Sequence, residues 1–189
     1  MNLIRRVAVA AATTGAGLAI AVGPAATANA GTLEEIERTP WVTLSQGDEG
    51  YRVAAVRCFL DQSDHFDGCS PTARGGDDFT GGLKAAVKRY QLDKSLPMSG
   101  KVDGATWQAL RHDVGLVDRG DERSDVVKGV QYALRAHGPR YATQGPSALV
   151  DGEYTASTGK YAKSYQWTHH IQQTGEVGPT TFRSLFAAS

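Results

Sequence analysis

Apolar residues recur along this chain at helical spacing. Val53, Val56 and Leu60 fall at i, i+3 and i+7, and Val127, Val130 and Leu134 repeat that interval, so each set lays one apolar stripe along a helix face. Leu83, Ala86, Val87 and Tyr90 occupy i, i+3, i+4 and i+7, as do Thr158, Tyr161, Ala162 and Tyr165, with Thr80 and Thr155 placed to cap. A third, short helix is predicted to open at Asp103-Gly104 and again at Gly178-Pro179, the second with Pro at the first helical position. It buries Trp107 and Leu110 in one case and Phe182 and Leu185 in the other. Between the first and second helices lie polar, glycine-rich stretches, 63–78 and 136–152, which read as loops. The fold class is all-α.

The paired helices are one pattern written twice. Phe79, Tyr90-Gln91, Gly100, Val102, Thr106, Trp107 and Leu110 return as Tyr154, Tyr165-Gln166, Gly175, Val177, Thr181, Phe182 and Leu185, each displaced by 75 positions. Gly47-Asp48-Glu49 returns as Gly120-Asp121-Glu122 at a displacement of 73. Two one-residue slips, in a turn and a loop, explain the difference. The chain therefore divides into two tandem three-helix units, 44–112 and 113–189, preceded by a leader, 31–43, in which Pro40-Trp41 is expected to fold back onto the first unit.

Residues 1–30 have the three parts of a secretory signal: a basic start at Arg5 and Arg6, an apolar Ala/Val stretch, and Ala28-Asn29-Ala30 as a small-residue end. Cleavage would leave a chain beginning at Gly31. The alternative, a membrane anchor, fits poorly because the apolar run is short and broken by Gly23-Pro24. No later segment is apolar for long enough to span a bilayer, which places the mature protein outside the cytoplasmic membrane. Without Arg5 and Arg6 the chain carries 18 Lys and Arg against 20 Asp and Glu. Neither that balance nor any basic run provides a face for phosphate backbones, so nucleic acid is not an expected partner. Cys58 and Cys69 are the only cysteines, and in an exported chain such a pair reads as one disulfide, the alternative being two free thiols.

These residues resemble the peptidoglycan-binding domain family, small three-helix modules attached to bacterial cell-wall hydrolases and related proteins. The family pattern runs roughly Leu-x-x-Gly-x-x-Gly, Val-x-x-Leu-Gln-x-x-Leu, Asp-Gly-x-Phe-Gly-x-x-Thr-x-x-Ala-Val-x-x-Phe-Gln, then Gly-x-Val-Gly-x-x-Thr-Trp-x-x-Leu. Unit one supplies Leu44, Gly47, Gly50, Val53, Val56, Leu60, Phe79, Ala86-Val87, Tyr90-Gln91, Gly100, Val102, Thr106-Trp107 and Leu110. Unit two supplies Gly120, Val127, Val130-Gln131, Leu134, Asp151-Gly152, Tyr154, Thr158, Tyr165-Gln166, Gly175, Val177-Gly178, Thr181-Phe182 and Leu185. Unit one departs at Arg57 for Gln, Gly76-Asp77 for Asp-Gly and Leu83 for Thr; unit two has Arg123 for the second Gly. Unit two is therefore the expected better binder.

The resemblance implies peptidoglycan as the partner, through its glycan strand or its stem peptide, without a cofactor. The expected contact surface is the glycine turn before the third helix together with the end of the second, where Tyr90, Gln91, Asp103, Trp107, Asp151, Gln166 and Trp167 are the candidate ligand-facing residues. Core packing is the competing role for Tyr90, Trp107, Tyr165 and Phe182; Trp167, on the polar face of its helix, is the expected exposed contact. Catalytic chemistry is not expected. His65, His112, His137, His169 and His170 show no HExxH or similar metal-ligand set, there is no Gly-x-Ser-x-Gly elbow, and Asp48-Glu49 and Asp77-Asp78 read as solvated turn acids rather than a glycosidase pair. Two other classes remain: an extracellular interaction or regulatory factor acting on a cell-wall enzyme, and a diverged hydrolase.

Overall fold

In a computed structural model of the protein the described residues are 25–137 and 150–188, with side chains described from residue 31. They form seven helices: α1 (Ala25–Arg38), α2 (Tyr51–Gln62), α3 (Gly81–Asp93), α4 (Gly104–Val114), α5 (Ser124–His137), α6 (Ala156–Thr168) and α7 (Pro179–Phe186). The all-α expectation holds. Among the described residues β pairing is confined to isolated antiparallel bridges, two of which, Leu44 with Val102 and Val117 with Val177, stand at equivalent places in the two halves.

Local chemistry sets the helix starts. Thr80 caps α3 by accepting a hydrogen bond from the Leu83 amide, and Asp103 caps α4 by accepting from Thr106 N at 3.0 Å. Thr155 stands at the start of α6 without a side-chain cap, and α7 starts on Gly178, also uncapped, with Pro179 following. Most of the 136–152 loop expected from the sequence lies outside the described residues.

The two halves share one core. Helix α2 lies along α5, and Gly129 permits the close approach: a Cβ there would stand 2.8 Å from a Phe59 ring carbon and 3.3 Å from the Ala55 carbonyl oxygen. Phe59 of the first half meets Phe182 and Phe186 of the second, each at 5.7 Å between ring centroids, and Trp107 stacks on Phe186 at 5.4 Å. Offset and edge-on aromatic pairs of this kind add to plain area burial.

Within the leader, 31–43, lies a helix that the sequence pattern did not predict, α1. Leu33 and Ile36 are its only large apolar side chains after Gly31, too few for a periodicity argument. Its order comes from distant residues: Arg183 donates to the Ile36 and Thr39 carbonyls, both at 2.8 Å, and Arg111 pairs with Glu37. The helix begins at Ala25 and runs through Ala30-Gly31; residues 1–24 of the expected signal lie outside the described residues. Trp41 then packs on Trp107 at 5.7 Å and edge-on to Phe182 at 6.3 Å, touching both halves rather than the first alone.

Candidate functional site

Three buried glutamines build the turns expected to carry the ligand surface. Gln91 on α3 accepts from Gly100 N at 2.9 Å and donates to the Lys101 carbonyl, Thr106 Oγ1 and Ser99 Oγ at 2.8, 2.9 and 3.1 Å. Gln166 on α6 repeats the set with Gly175 N, the Glu176 carbonyl, Thr181 Oγ1 and Thr174 Oγ1. Gln131 on α5 makes it again with Gly152 N, the Glu153 carbonyl, Thr158 Oγ1 and Asp151 Oδ1. In each case the amide ties a left-handed glycine, at φ 69°, 80° and 84° for Gly100, Gly175 and Gly152, to the threonine six residues on. The carboxamide matches because it offers an acceptor and two donors in one plane.

The fourth such junction, between α2 and α3, is built differently. Arg57 occupies the place of Gln131, donating to the Gly75 and Asp78 carbonyls at 3.2 and 3.0 Å and to the Gly68 carbonyl at 3.4 Å. A guanidinium has no acceptor, so it cannot receive a glycine amide as the glutamines do. The departures Arg57 and Gly76-Asp77 thus fall in one altered turn, and Leu83 stands at the position of Thr158. Cys58 and Cys69 form a disulfide beside that turn, with Cα atoms 4.4 Å apart, and Asp61 accepts from the Gly68 and Cys69 amides at 2.8 and 2.6 Å.

These contacts locate the candidate residues. Gln91, Gln166, Tyr90 and Trp107 are buried, and their polar groups are engaged within the protein: Tyr90 donates to Asp113 at 2.8 Å and Trp107 Nε1 to the Val42 carbonyl at 2.7 Å. Their side chains form the back wall of the turns and do not present a face to solvent. Asp103 is half-buried as the α4 cap; Asp151 is exposed and accepts from Gln131 and from the Glu153 amide. Trp167 is 67% exposed at the end of α6, and Leu92, its counterpart on α3, is 61% exposed.

An open cleft of about 280 Å³ adjoins the turn before α7. Leu33 of α1, Leu116 between the halves, and Ile171 supply apolar walls, while His170, Thr174, Glu176 and the first turn of α7 from Gly178 to Thr181 supply its polar edge. The sequence reading identified the turn but not Leu33 or Leu116. These two leucines stand half exposed, at 42% and 50%; the packing of α1 brings Leu33 to the turn, and the Val117–Val177 bridge brings Leu116. Where α4 has the Asp103 carboxylate at its start, α7 has Gly178, so the first turn beside the cleft lacks a side-chain acceptor.

Titratable groups are held by structural contacts. Burial, reinforced by Asp113, drives the Tyr90 hydroxyl far above its ordinary range, and burial does the same to Tyr154 and Tyr165. Burial pushes the Asp113 carboxyl up, but hydrogen bonds from Lys94, Tyr90 and His112 outweigh it and hold it below the usual value. His137 lies below the ordinary imidazole value because it is half-buried, near His169 and Arg52; its Nε2 is 2.9 Å from the Tyr51 hydroxyl. His169 and His170 are not on a helix together: His169 ends α6, and His170 sits in the left-handed region at φ 55°. Among the described residues no group of three His, Cys, Asp or Glu could hold a metal, and no helix is long and apolar enough to cross a membrane.

A family model described as Putative peptidoglycan binding domain matches residues 50–110, from the residue before α2 to the last buried leucine of α4. No curated protein and no solved structure matches the chain. The matched span holds the α2, α3 and α4 bundle with its Gln91 cluster and its disulfide, and over residues 50–110 the chain is similar to that family.

Proposed function

We propose that this chain is a secreted, non-catalytic protein that binds peptidoglycan through two tandem modules, 44–112 and 113–189. The observation that carries the reading is the family match over residues 50–110. A second module is supported by the repeated glutamine cluster: Gln166, Gly175 and Thr181 bond to one another as Gln91, Gly100 and Thr106 do. The wall-contacting surface of the second module is the cleft before α7 with the exposed Trp167. An apolar floor beside an uncapped helix start suits a stem peptide, and an exposed indole suits the face of a sugar ring. Secretion rests on the signal-like features of residues 1–30, and the absence of catalysis on the lack of any recognisable nucleophile, metal-ligand or paired-carboxylate motif in the sequence.

The test is incubation of residues 31–189 with purified sacculi, followed by sedimentation and analysis of the soluble fraction. The expected result is protein in the pellet and no released muropeptides. Protein left in the supernatant would overturn wall binding, and soluble muropeptides would overturn the non-catalytic assignment.

A further inference from the structure

The first half carries a second cleft, separate from the one before α7 and of opposite character. It has a volume of about 460 Å³ and opens between the turn at Ser45 to Gly47, the first turn of α3 at Lys84, and the Gly100 turn with Lys101. No acidic side chain lines it. The nearby Asp48 carboxylate is turned onto the Ser45 amide at 2.6 Å and its hydroxyl at 3.2 Å.

The lysines at this cleft have no carboxylate partner, unlike Lys94, which pairs with Asp113 at 2.8 Å. Lys84, Lys88 and Lys101 make no ion pair among the described residues, although the first two lie close together: a Cβ on Gly100 would be 2.9 Å from Lys84 Cγ and 3.2 Å from Lys88 Cγ. Lys84 also sits in the first turn of α3, where the helix dipole is positive and a cation is unfavourable. Gathering like charges at that place opposes stability unless something anionic joins them.

Lys88 returns in the second half as Lys163, packed against Gly175, but the fold does not require Lys84 and Lys101. In the second half Gly159 stands where the first has Lys84, and Glu176 stands where it has Lys101. There the glutamine cluster is complete without the added charge. We propose that the Lys84–Lys101 cleft is an anion-binding site, taking a carboxylate or phosphodiester group of an extended polymer, with Gln46 as a neutral donor at its edge. The site gives the first half a charge-dependent contact that the second half lacks.

The experiment is a calorimetric titration of residues 31–189 with three probes at low and high salt: a short peptide bearing two free carboxylates, poly(glycerol phosphate), and a neutral chitin oligosaccharide. Variants are Lys84→Gln with Lys101→Gln, the charge-preserving Lys84→Arg with Lys101→Arg, and Lys163→Gln in the second half. At least one anionic probe should bind the unaltered protein, weakening with salt. The glutamine pair should lose about tenfold in affinity, whereas the arginine pair and Lys163→Gln retain it. Which anionic probe binds identifies carboxylate or phosphodiester as the ligand. Binding of neither anionic probe, or equal loss in Lys163→Gln, would overturn the proposal, as would undiminished binding by the glutamine pair. Sacculus retention plays no part in these readings, so this site and the proposed function fail independently.

Discussion

Three of the interhelical turns in this protein are closed by a neutral amide, and one is closed by a guanidinium beside a disulfide. At the Gln91, Gln131 and Gln166 turns, one side chain both accepts from a glycine amide and donates to a carbonyl and a threonine hydroxyl. At the α2–α3 turn, Arg57 only donates, Leu83 replaces the threonine, and the chain is tied covalently between Cys58 and Cys69. A polar cluster that specifies a turn behaves as a unit. Where the central residue is an arginine, the threonine partner is absent too, and a local cross-link constrains the same stretch of chain.

The largest effect should come from Gln166→Leu, which strands the Gly175 amide, the Glu176 carbonyl and the Thr181 hydroxyl inside the protein. Buried polar groups left without partners cost roughly 2 to 4 kcal/mol in total, and thermal unfolding should show a midpoint lower by roughly 6 to 12 °C. An unchanged midpoint would mean that water replaces the amide freely. Next is the pair Cys58→Ala and Cys69→Ala, which opens a short loop and should cost about 2 to 3 kcal/mol by the chain-entropy account. Chemical denaturation of this variant should show the loss. A cost near zero would show that Arg57 alone fixes the loop.

A smaller, pH-dependent effect is expected at His137, on the opposite side of the comparison. Its folded pKa lies below the ordinary value, first through burial and then through His169 and Arg52, while Tyr51 and Tyr165 face its ring. The unfolded state therefore takes up the proton first as pH falls. Stability present above about pH 6.5 should decline as pH drops through the folded value. His137→Gln should flatten that slope in pH-dependent melts; an unaltered slope would assign it to other groups.

Much of this was legible in the sequence, and the limits have physical causes. Helix periodicity placed α2 to α7, because each buries a regular stripe. The 75-residue recurrence of Gln and Gly marked the turns, but spacing alone did not say whether Gln91 and Gln166 point inward or outward. Burial and complete hydrogen bonding place both inside. Arg57 and Gly76-Asp77 were visible as separate departures; their link is spatial. Helix α1 and the cleft before α7 left little signal, since Leu33 and Leu116 are far apart in sequence and α1 is fastened by Arg111 and Arg183 from remote helices. The shared aromatic core also means that the halves are best compared by substitution in the whole chain, because separation would expose Phe59, Phe182 and Phe186.

Trp167 gives the most direct test of wall binding. Its ring is mostly exposed, so Trp167→Ala should leave helical content and the thermal midpoint unchanged. The measurement is the apparent affinity for purified sacculi by sedimentation, unaltered protein against Trp167→Ala. The account predicts retention of the unaltered protein and a loss of roughly 1 to 3 kcal/mol, about five- to a hundredfold, in the variant. Equal retention of the two, or no retention of either, would contradict it.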